Sequence, residues 1–136
     1  MAENNFEEMA KDVLNTADTT DSFDQSDIEN NKIMAVLAYI GILFLVSLLV
    51  AKESRFAKFH TNQGLVLFIA DIAIGVVISV VSVILAFIPV VGPIVAAIVG
   101  GVLGLAIFAL MILGIINAAT GKAKELPIIG KITILK

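Results

Sequence analysis

One carboxylate inside a long apolar run and one histidine ahead of it are the residues of this chain best equipped for chemistry. Asp71 lies about six residues into the run 65–88, and His60 sits in the segment that leads into it. Eleven residues of continuous helix would hold the two about 16 Å apart, so they form no close acid–base pair. With one histidine and no cysteine, an imidazole or thiolate metal site within one chain is excluded. No Ser–His–Asp set, glycine-rich phosphate loop or pair of carboxylates is present. Neither catalysis, nor a metal, nor a cofactor is expected.

The remaining polar groups fall into two sets. His60, Asn62 and Gln63 head the second apolar run, and Asn117 closes the third. They suit helix ends and lipid headgroups, and they converge into one interfacial cluster if the first loop and the C-terminal tail share a membrane face. The cluster reads as structural. Asp71, Gly75, Ser79, Ser82 and Ala86 fall within an arc of about 80° on one helix. A carboxylate near mid-membrane costs at least about 2.5 kcal/mol, so this face should meet protein or water and not lipid. It reads as a packing seam with Asp71 protonated or hydrogen-bonded to Ser, Asn or Tyr39, desolvation favouring the neutral acid in either case. The alternative is an ion, proton or substrate path.

The elements that carry these residues are written in three long apolar runs, 33–51, 65–88 and 94–119. A bilayer core about 30 Å thick needs roughly 20 apolar residues of helix, and each run meets that length. Hydrophobic residues make up 59% of the chain and charged residues 15%, well off the balance of a soluble domain. The expected fold is an all-α membrane protein with three transmembrane helices, spanning about 33–51, 64–88 and 94–119. Pro89 and Pro93 bracket Gly92 in a stretch too short for more than a tight turn. The second and third spans therefore form an antiparallel hairpin. On the third, Ala96, Gly100 and Gly104 recur every four residues, a small-residue spacing that lets helices pack closely.

Charge divides the chain. Residues 1–31 hold nine acids and one base, a net of −8 within a total of −3. Lys52, Arg55 and Lys58 follow the first run, and Lys122, Lys124, Lys131 and Lys136 follow the third. Basic short loops stay in the cytoplasm. With three spans this places the first loop and C-tail inside and the acidic N-tail outside. No cleavable signal is visible, so the first run would act as an uncleaved anchor. In the N-tail, Phe6, Met9, Ala10, Val13, Leu14 and Ala17 share one helical face, which predicts a short helix on an otherwise disordered tail. Ser26-Asp-Ile-Glu29 has the form of a capping box opening the first membrane helix. The chain thus divides into a tail (1–26), a membrane domain (27–121) and a basic C-tail (122–136).

Three segments carry a resemblance: Asn30-Asn-Lys-Ile-Met-Ala-Val-Leu-Ala-Tyr39, Ser54-Arg-Phe-Ala-Lys-Phe-His-Thr-Asn-Gln-Gly64, and the stretch from Gly114 through Asn117, Gly121 and Leu126-Pro127 to Gly130. They resemble a widespread family of small bacterial membrane proteins of unknown function, distantly similar to the chloroplast inner-envelope import component "Tic twenty". The resemblance covers roughly residues 27–136 and implies a helical bundle with a role around protein translocation. The chloroplast relative is usually drawn with four spans, one more than is evident here.

The expected function is that of a non-enzymatic bundle in the bacterial plasma membrane, acting through other membrane proteins or copies of itself as a translocon-like, accessory or regulatory subunit. The lipid bilayer is a partner and nucleic acid is not. A small channel or transporter using the Asp71 face is the competing expectation.

Overall fold

The structure, a computed structural model, describes residues 2–135, all-helical with no strand among them. In chain order the helices are α1 (Ala2–Leu14), α2 (Gln25–Leu37), α3 (Phe44–Val50), α4 (Arg55–Leu85) and α5 (Val91–Ala119). Two of them, α4 and α5, are long and apolar enough to cross a membrane. They pack as an antiparallel hairpin through a turn at 86–90. At 31 residues α4 is about 46 Å long, more than a hydrocarbon core requires, and the surplus becomes a polar end. Away from that end Val76, Val77, Val80, Val102 and Leu105 are exposed. Such an apolar surface suits lipid, and the chain is a membrane protein.

The first apolar run is not a span. It is divided into the end of α2, a 3-10 turn (Gly41–Leu43) and α3. The contacts give its course. Asp27 bonds Ser54 and Phe56, Tyr39 bonds His60, Phe44 packs on Phe68 and Ser47 bonds Thr61. So α2 climbs alongside the first turns of α4 and α3 descends the same helix, a re-entrant hairpin with both ends at the polar end. Gly41 makes the reversal with φ +52°, a left-handed conformation that glycine adopts at little cost. The tip of α2 is seated in a notch. A Cβ on Gly64 would lie 1.8 Å from the Ala38 carbonyl oxygen, and one on Gly114 would lie 2.4 Å from the Tyr39 ring. The expectation of three spans fails because hydropathy measures length and solvent and is blind to a reversal inside an apolar run.

The start of α2 also differs. Asp24 is its N-cap in place of the expected Ser26, and Asp27, inside the expected capping box, caps another helix. The Asp27 carboxylate accepts from the Ser54 hydroxyl (2.6 Å) and the Phe56 N–H (3.0 Å), while Ser54 Oγ accepts from the Ala57 N–H (3.0 Å). An acid of α2 thus caps α4, satisfying N–H groups that its first turn leaves orphaned.

The tails meet. The Thr19 N–H donates to the Ala123 carbonyl (3.0 Å), the Glu125 N–H to the Ala17 carbonyl (2.9 Å) and the Ala123 N–H to the Thr20 hydroxyl (2.9 Å). The N-tail is therefore helical over Ala2–Leu14 and bonded to the C-tail beyond it. The Thr20 hydroxyl and backbone N–H hold the Asp18 carboxyl below its usual range. A depressed carboxylate stabilises the fold above its unfolded value, so this turn loosens as pH falls through the lowered one. These bonds do not fit the expectation that N-tail and C-tail lie on opposite sides of a membrane: the two tails meet at one end of the α4–α5 hairpin.

Single cysteines at Ser22 and Lys131 should accordingly react with an impermeant reagent from the same side of the membrane; reaction from opposite sides would restore a three-span topology. Gly64→Val should lower stability in detergent by about 3 kcal/mol or more, because the new side chain collides with backbone.

Candidate functional site

The polar end is built where α2, the first turns of α4 and the last turns of α5 meet the C-tail. The C-tail begins with a glycine-ended stop. Gly121 has φ +75°, its N–H donates to Ala118 (3.2 Å), and the Lys122 N–H donates to Asn117 (2.8 Å), a Schellman pair. From there the chain runs without helix, so its backbone groups need partners from elsewhere.

Four side chains supply many of them. His60 Nε2 lies 3.0 Å from the Lys122 carbonyl oxygen, and its Nδ1 lies 2.6 Å from Tyr39 Oη. A carbonyl can only accept, so Nε2 carries the proton of a neutral ring and the Tyr39 hydroxyl donates to Nδ1. The rings of Tyr39, Phe56 and Phe59 surround the imidazole edge-on at 4.8–5.5 Å between centroids. Asn62 donates to the Ile132 carbonyl (2.8 Å) and accepts from the Ile134 (2.7 Å) and Leu135 (2.9 Å) N–H groups. Gln63 Oε1 accepts from the Leu126 N–H at 2.7 Å. Asn117 donates to the Lys124 carbonyl at 3.4 Å.

His60, Asn62, Gln63 and Asn117 thus come together on one object, the backbone of the C-tail. Helix periodicity places the first three on adjoining faces of α4, and the last turn of α5 brings Asn117 alongside. Sequence reasoning missed Ser47 and Thr61, whose hydroxyls bond at 2.7 Å between α3 and α4. It also missed Asp27 as a cap for another helix and Phe23 as a ring edge-on to Phe56 and Phe59. A lone serine in an apolar run was the available signal for the first pair; the others had none, since their partners lie far off in sequence.

The acid face is placed differently. Asp71, Gly75 and Ser79 are exposed, Ser82 is half-buried, and Asp71 makes no hydrogen bond within the described residues. Tyr39 is committed to His60 and is not its partner. On α5, Gly100 faces Ile78, where an added Cβ would make ordinary contact at 3.6 Å, and Ala96 is half-buried. Gly104 has nothing within 4 Å, so the expected seam packs within the chain at its first two positions only. No group of three metal-ligating residues occurs among the described residues.

Removing one partner of a buried hydrogen bond leaves the other unsatisfied at about 1–3 kcal/mol. His60→Phe should therefore lower stability by about that much for each of Tyr39 Oη and the Lys122 carbonyl. Asn62→Leu should leave the helices intact and make residues 131–135 accessible to carboxypeptidase. An unchanged digestion rate would mean that Asn62 does not hold the tail.

No curated protein and no solved structure matches the chain. A family match covers residues 30–133, from the middle of α2 through the clasped C-tail. It corrects the resemblance drawn from the three motifs, and similarity to the chloroplast import component is not supported. His60, Gln63 and Asn117 all bind tail backbone, a task set by folding, which is why such residues are poor guides to function. The chain belongs to the MamF/MmsF family, the magnetosome magnetite crystal formation protein family.

Proposed function

We propose that this chain is a non-enzymatic protein of the magnetosome membrane that supports magnetite crystal formation by associating with copies of itself or with other membrane proteins. The family supports the setting. One observation supports the mode of action: Asp71 stands on the surface of α4, within its apolar stretch, with no hydrogen-bond partner among the described residues. A lipid-facing carboxylate is costly there, and an associated protein relieves the cost.

The stripe that carries Asp71 adds to this reading. Thr61, Gly64, Phe68, Asp71, Gly75 and Ser79 follow one another at spacings of three and four along α4. The re-entrant hairpin covers the first three, through Ser47, Ala38 and Phe44. Its reversal leaves Asp71, Gly75 and Ser79 bare. Gly101 and Gly104 on α5 are bare as well, with nothing within 4 Å of an added Cβ. Small residues allow close helix approach, so such a surface suits another helix. The family gives no support to a translocon role, and that reading is set aside.

A conduit is the second reading, favoured by the same uncovered carboxylate. A single chain with two spans encloses no path, so this reading needs several copies with Asp71 turned inward.

Asp71→Asn and Asp71→Leu separate the readings. For an association surface, Asn keeps the hydrogen-bonding capacity and should preserve the oligomer seen by cysteine crosslinking at Ser79. Leu should reduce that crosslinking several-fold without unfolding the chain. For a conduit, Asn should retain the oligomer and abolish a proton or cation flux that wild-type proteoliposomes display. In a magnetite-forming cell, loss of the chain should alter crystal size or shape while the vesicles persist. Normal crystals would refute the proposed role.

A further inference from the structure

The polar end contains a cavity of about 330 Å³ between α4, Phe23 of the N-tail and the clasped C-tail. Its wall includes Arg55, Lys58, Phe23, Phe59, Gln63 and Glu125. Gln63 is 1% exposed, and its Nε2 is the buried side-chain polar atom left without a hydrogen-bond partner among the described residues. Its Oε1 is already engaged by the Leu126 N–H, so the amide nitrogen is the donor that remains for an occupant. Burying such a group unpaired is unfavourable, and each instance calls for an explanation. Arg55 supplies the charge. Its guanidinium lies over the Phe23 ring, 5.4 Å from the centroid, a cation–π contact that uses none of its N–H groups as conventional hydrogen-bond donors.

We propose that this cavity binds the phosphate group of an anionic phospholipid headgroup. Arg55 and Lys58 against Glu125 leave one net positive charge on the wall. Gln63, two turns further along α4 than Arg55, adds a neutral donor on the same cavity wall. The residues sit on the first turns of α4, which run directly into its apolar stretch, at the level where basic and aromatic side chains meet headgroups. Phe23 and Phe59 give the glycerol an apolar wall. This site lies on the clasped polar end and is independent of the association surface around Asp71.

Purified full-length protein in neutral detergent tests it, with phosphatidylglycerol, phosphatidylcholine and inorganic phosphate as separate probes. Thermal shift and native mass spectrometry are the readouts. Phosphatidylglycerol should give a saturable rise in Tm and one retained lipid per chain, and phosphatidylcholine should bind at least tenfold more weakly. Arg55→Gln should weaken phosphatidylglycerol binding about tenfold, whereas Lys131→Gln, which removes a cation that does not line this cavity, should leave it unchanged. Gln63→Glu keeps the acceptor for the Leu126 N–H but replaces the donor with an anionic oxygen, and should weaken binding at least as much. If that variant fails to fold, Arg55→Gln decides alone. Equal binding of phosphatidylcholine, equal losses from Arg55→Gln and Lys131→Gln, or saturation by inorganic phosphate at the same affinity would each overturn the assignment.

Discussion

Backbone groups that leave a helix beside the hydrocarbon core must find hydrogen-bond partners in the protein, because lipid offers none. The polar end of this molecule is organised by that constraint. A re-entrant hairpin and a long C-tail both carry non-helical backbone there. Tyr39, His60 and the Lys122 carbonyl form one continuous answer, joining the tip of α2 to the start of the tail through a neutral imidazole. Asn62, Gln63 and Asn117 extend it. Asp27 and Ser54 serve the opening of α4 in the same way. Polar side chains are buried here because their removal would orphan backbone.

The two ends of the hairpin then have different economies. Near the tails, packing is dense: Ile28, Ala35, Phe56, Ala118, Ala123 and Leu126 form a buried cluster around the polar bonds. Beyond Phe68, α4 and α5 touch each other and little else, and their large aliphatic side chains face outward. A bilayer solvates those aliphatic groups well. It does not solvate Asp71, which stands just past the reach of the re-entrant hairpin. The place where intramolecular cover stops is therefore where an external contact has most to gain.

Membership of the magnetosome magnetite crystal formation family changes the setting of these features and leaves their physics unchanged. The matched region begins inside α2 and includes the re-entrant hairpin, both spans and the clasp. The N-tail lies outside it, yet Thr16, Thr19 and Thr20 bond the matched C-tail directly. The acids of α1 are thereby held at the same end of the molecule as the lysines of the C-tail.

The sequence by itself determined the solvent, the two long apolar helices and their hairpin, and it named four polar residues that the structure brings to one end. Hydropathy, run length and helix-stop chemistry are local properties, and Pro89 in the turn at 86–90 and Gly121 after α5 state them in a few residues, although Gly92 and Pro93, expected in that turn, open α5 instead. Tertiary structure alone decided that residues 33–51 turn back. That reversal depends on a notch made by Gly64 and Gly114, far along the chain from Tyr39. It alone paired the tails as well, through bonds such as Thr19 to Ala123 across 104 residues. With the first run turned back, both tails lie on one side and Asp71 is left uncovered. Each of these outcomes rests on contacts between distant segments, and no local pattern encodes which distant segment will arrive.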